Sequence, residues 1–108
     1  MSVRVQPTEY RVVDDVIADD FEANSWTITV AWRGPGDLWA VMLRSSCWNR
    51  RTRAWDYEPN PSSRTAAFKR AHRFPLVVAL DIAKKQAPLI TVMGKTATEV
   101  MAWKATLP

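Results

Sequence analysis

The sequence predicts an α+β domain: a mainly antiparallel sheet of three to five strands with two or three helices packed on one face. Three observations lead there. Strand-like patterning dominates up to Tyr57, helical spacing dominates from Thr65 onward, and Gly- or Pro-bearing turns separate the segments. Tyr10 to Ile17 mixes apolar and charged residues without a clean period and is read as an edge strand. Ser25 to Arg33 is clearer. Trp26, Ile28, Val30 and Trp32 alternate with Thr27, Thr29 and Ala31, the period of two that buries one face of a strand. Gly34-Pro35-Gly36-Asp37 turns the chain into the apolar run Leu38 to Arg44, so the pair reads as a hairpin. A third strand, Arg53 to Tyr57, is expected after a basic turn, Asn49 to Thr52.

Pro59 and Pro61 end the sheet, because proline donates no ladder hydrogen bond. A short helix is predicted from Thr65 to Ala71 and a longer amphipathic one from Pro75 to Gln86. The second has Leu76, Ala79, Leu80, Ala83 and Ala87 on its inner side. Pro88 stops it. Leu89 to Met93 reads as a short buried strand. Thr96-Ala97-Thr98-Glu99 matches a capping box opening a closing helix with Val100, Met101 and Trp103 facing the body.

At 108 residues the chain is one domain, with residues 1–25 expected as a loosely attached acidic segment. That segment sets Arg4 and Arg11 against Glu9, Asp14, Asp15, Asp19, Asp20 and Glu22. The remainder holds thirteen basic and five acidic groups, an asymmetry that points to anionic partners or to the acidic segment covering a basic body. Cys47 is the only cysteine, which excludes an internal disulfide and fits a reducing compartment. With no apolar leader and no run of about 18 apolar residues, a cytoplasmic protein without membrane contact is expected.

No catalytic constellation stands out, and neither enzyme activity, a cofactor, a metal nor a small-molecule substrate is expected. Gly94-Lys95-Thr96 lacks the rest of a phosphate loop, since Leu89 occupies the position of its first glycine. Cys47 and His72 have no spacing that enforces a nucleophile–base pair, and together they fall short of a zinc ligand set. The aspartates of the N-terminal segment lack the pattern of a calcium loop. The informative stretch runs from residue 44 to 73. Arg44, Arg50, Arg51, Arg53, Arg64, Lys69, Arg70 and Arg73 outnumber Asp56 and Glu58, and Trp48, Trp55 and Tyr57 are interleaved. These eight cations with Trp48 form the candidate surface for a partner or for nucleic acid: guanidinium groups suit phosphates and flat rings suit bases. Alternatively the rings are core and the cations a solvated face. Trp39, Trp48 and Trp103 are the tryptophans expected at a protein interface, if any.

Trp32-Arg33-Gly34-Pro35, Trp55-Asp56-Tyr57-Glu58-Pro59, Pro61-Ser62-Ser63-Arg64 and His72-Arg73-Phe74 carry a resemblance, with Ala79-Leu80, Ala87-Pro88 and Val92-Met93-Gly94. In these stretches the chain resembles small uncharacterised proteins of actinobacterial phages. The resemblance implies a viral origin and no activity or site residue. The leading expectation is a non-catalytic accessory protein that binds a host protein or itself. The alternative is a nucleic-acid-binding domain using residues 44–73.

Overall fold

The computed structural model describes residues 2–108. Five strands form one antiparallel sheet in the order β1 (Glu9–Val12), β2 (Ile28–Trp32), β3 (Trp39–Leu43), β4 (Ser46–Asn49) and β5 (Ala54–Tyr57), each beside its sequence neighbour. The register divides the side chains cleanly. Tyr10, Val30 and Val41 stand in one cross-strand row, with Trp48 opposite Trp55 further along. The other face carries the rows Glu9–Ala31–Ala40 and Arg11–Thr29–Met42, then Cys47–Asp56.

The first face builds the main core. Ile28, Val30, Trp39, Val41, Leu43 and Trp48 pack against α2 (Leu76–Gln86). Ala79, Ala83 and Ala87 recur every fourth residue on that helix, so its backbone approaches the sheet closely and the tryptophan rings fill the remaining volume. Asp37 ties the β2–β3 turn to this helix: its carboxylate accepts from Trp39 Nε1 at 2.9 Å and from the Leu76 amide at 3.0 Å. The second contact satisfies an amide that Pro75, the residue before the helix, leaves uncapped by any side chain of its own.

The helices divide between the faces rather than sharing one. α1 (Ala66–His72) lies opposite α2, where Phe68 packs on Ala31, Ala40, Met42 and Cys47. The reason is a gap in the sheet. β4 pairs with β3 only at Met42 and Leu43, so the start of β3 is open on that side, and Phe74 closes it with two hydrogen bonds to Trp39 of 2.8 and 2.9 Å. The chain thus passes from one face to the other between α1 and α2.

β4 was not expected from the sequence. Its four residues bury Cys47 on one face and Trp48 on the other, so no alternation marks it. The expected strand Leu89–Met93 reduces to Thr91–Val92 (β6), paired with Lys95–Thr96 (β7) in a separate ribbon. Met93 and Gly94 turn it with φ of 52° and 80°, the two positive values of a tight hairpin turn. Met93 is 98% exposed and Leu89 is exposed, whereas Ile90 joins the main core, so the run is buried only in part.

The N-terminal segment is not a loose appendage. β1 is zipped to β2, and Ile17 and Ala23 are buried with Ala97 of α3 (Ala97–Lys104) in a second small core. Trp26 Nε1 donates to Lys95 O at 2.8 Å, and Lys104 pairs with Asp20 at 3.1 Å, which fastens the two chain ends together. No helix among the described residues is long and apolar enough to cross a membrane.

Candidate functional site

Under α1 lies a buried ion cluster. β5 is followed by Glu58, whose side chain is 5% exposed and receives Arg33 Nε at 2.8 Å and Arg73 Nη2 at 2.6 Å, with Arg64 Nη2 at 3.7 Å. Burial acts to raise the Glu58 pKa, but the Arg33 hydrogen bond and the charge of Arg73 outweigh it and hold the carboxyl below its ordinary value. Arg73 also rests 5.3 Å from the Phe68 ring, so the guanidinium is enclosed by a carboxylate and an aromatic face.

Beside it, Asp56 accepts from Asn49 Nδ2 at 2.9 Å and faces His72 Nε2 at 2.8 Å; these contacts, Asn49 first, lower its pKa. His72 Nδ1 meets Phe68 O at 2.8 Å, so both ring nitrogens face oxygen acceptors. Cys47 and His72 consequently form no hydrogen-bonded pair, although both border Asp56. The Cys47 thiol is fully buried, and its pKa is pushed up to about 11 by burial first and by Glu58 next. A thiol held protonated is a poor nucleophile.

The predicted surface residues separate into three groups. Arg50 and Arg51 of the β4–β5 turn and Lys69 and Arg70 of α1 converge, with Leu38 and the edge of Arg73, on one depression of about 440 Å³. Arg53 sits in the same turn, exposed and at φ 54°. Arg50 is the rigid member. It donates to Arg73 O at 2.7 Å and stacks over the Phe74 ring at 4.9 Å. Arg51, Lys69 and Arg70 have no ion pair among the described residues. Lys69 and Arg70 also face the negative end of the α1 dipole, which favours cations in the last turn.

Arg44 is in the β3–β4 turn, at the opposite end of β4, and donates to Ser25 O at 2.8 Å. It does not join the depression. Trp48, Arg64 and Arg73 are corrections to the expected surface. Trp48 is 7% exposed and packs edge-on against Trp55, with ring centroids 5.1 Å apart. Arg64 is drawn in by Glu58 and donates to Pro59 O at 3.0 Å. The Arg73 side chain is 3% exposed, because Glu58 offers it a carboxylate inside. Of the three tryptophans expected at an interface, Trp39 and Trp48 are buried and Trp103 is 51% exposed. Among the described residues none before Leu38 lines the basic depression, so their acidic groups do not cover it.

Sequence reasoning missed Leu38 as part of this surface and Glu58 as the organiser of three arginines. The only signal for Glu58 was its place as one of two acids in a basic stretch. No protein-family model, no curated protein and no solved structure matches the chain.

Proposed function

We propose that the protein binds nucleic acid through its backbone phosphates, with Arg50, Arg51, Lys69 and Arg70 as the contact groups. One observation carries this reading: cations from a turn and a helix, distant in sequence, line a single depression to which no carboxylate among the described residues contributes. Phosphate binding needs that arrangement, since unpaired cations release counterions from the polyanion when they engage it. Base stacking has little support. Trp48 is interior and Trp55 partly so, which removes two of the three rings in the stretch. The expected mode is therefore contact with the backbone and little choice of sequence.

Fluorescence polarisation of a labelled duplex across a salt series tests this. With four contacts the log–log slope is about −3.6 on duplex and about −2.8 on single strands. Arg51→Gln with Arg70→Gln, which leaves the structural Arg50 in place, halves the slope. An unchanged slope in that double variant, or no binding at low salt, ends the proposal. The second reading, a protein partner or self-association, is supported by half-exposed Trp103 on α3. Light scattering that finds a dimer lost on Trp103→Ala would favour it.

A further inference from the structure

A second depression lies on the same face of the sheet as α1. Its volume is about 550 Å³, within the range of small-molecule sites. Its floor is the polar side of β2 with neighbours from β3: Ala31 and Met42 are nearly buried apolar groups, flanked by Thr27 and Thr29. Arg11, Arg33 and Arg44 stand around it, against one carboxylate among the described residues, Glu9.

One feature sets these groups apart from an ordinary solvated face. Arg11 and Arg44 are each held by one hydrogen bond to a backbone carbonyl, Ala18 O at 3.3 Å and Ser25 O at 2.8 Å. Neither has an ion pair among the described residues. A guanidinium has five N–H donors, so each is tethered with most of its donors unspent.

The geometry points to a binding site for a small organic anion, one oxyanion group on an apolar body. The carboxylate or phosphate lies between Arg11 and Arg44, and the body rests on Ala31 and Met42. Arg33 is already neutralised by Glu58, so it shapes the wall and is not the anchor. The site shares no residue with the basic depression and goes beyond the nucleic-acid reading.

The test is an amide chemical-shift titration of the full chain with phenyl phosphate, benzoate and neutral benzamide. Both anions shift residues 27–33 and 42–44 in a saturable way. Benzamide binds at least about tenfold more weakly, because a charge-assisted hydrogen bond is worth roughly that factor. Arg11→Gln with Arg44→Gln weakens both anions by about tenfold or more on the same basis. Arg44→Gln alone weakens both by a smaller factor, so the proposal remains testable should the double variant unfold. Four results overturn it: no saturable shifts at millimolar probe, equal binding of benzamide, shifts confined to residues 50–53 and 66–72, or displacement of the probe by duplex DNA. The last would make this groove part of the polyanion face. Failure of DNA to bind at all would leave these probe results unaffected.

Discussion

Replacing Glu58 with alanine leaves three arginines around an empty carboxylate position. Of these, Arg73 decides the cost. Its side chain is 3% exposed, and with Glu58 gone no carboxylate replaces it among the described residues: what remains is a 3.2 Å bond to His72 O, the Cys47 thiol and the Phe68 ring at 5.3 Å. Breaking one side of a buried pair costs about 3–5 kcal/mol, since the remaining charge stays desolvated. A domain of this size has about 5–15 kcal/mol in all. With a urea slope of about 2 kcal/mol per M, Glu58→Ala lowers the unfolding midpoint by about 1.5–2.5 M. Glu58→Gln keeps the volume and removes the charge, so it separates electrostatics from cavity formation and retains most of the loss. Adding Arg73→Met to Glu58→Ala removes the orphaned cation and recovers at least about 2 kcal/mol in a double-mutant cycle. The reasoning is refuted if Glu58→Ala costs under about 1 kcal/mol, or if the two changes simply add.

Acid should act through the same carboxylates. Glu58 and Asp56 have folded pKa values below their ordinary 4.5 and 3.8, so the unfolded chain binds more protons in that range. Their contribution is complete above pH about 5 and is lost as pH falls through the folded values; urea midpoints across this window show a decline that Glu58→Gln flattens. The Cys47 thiol, pushed up to about 11 and fully buried, stays silent to a disulfide reagent at pH 8 in the native protein and reacts at once in urea. Rapid native labelling would contradict its placement. Thr96→Ala removes the hydroxyl that accepts the Glu99 amide at 3.2 Å and opens the capping box of α3. The expected cost is about 1 kcal/mol by chemical denaturation, and no change would mean that α3 does not depend on its cap.

The elements that could be read directly were those whose signal is local. Alternation over Ile28–Trp32 marks β2 because one face of a strand is buried and the side-chain period is two. Likewise Pro75 and Pro88 bracket α2 by what proline forbids, and Thr96 with Glu99 writes a helix start into four residues. The basic character of residues 44–73 was also legible.

Tertiary structure alone decided which of those cations stay exposed. Arg73 and Arg70 are indistinguishable by composition, yet the Arg73 guanidinium is enclosed by Glu58 and Arg70 is exposed. The difference depends on which side of the sheet α1 occupies, and that depends on Phe74 closing the gap beside β3. β4 shows the same dependence, since its two buried residues serve opposite faces and only the assembled layers reveal it. A charge is placed by the distant carboxylate or solvent it finds after folding, whereas a helix cap or an alternating strand finds its partners within a few residues. The chain therefore spelled out its elements one at a time, and packing settled which arginines became surface.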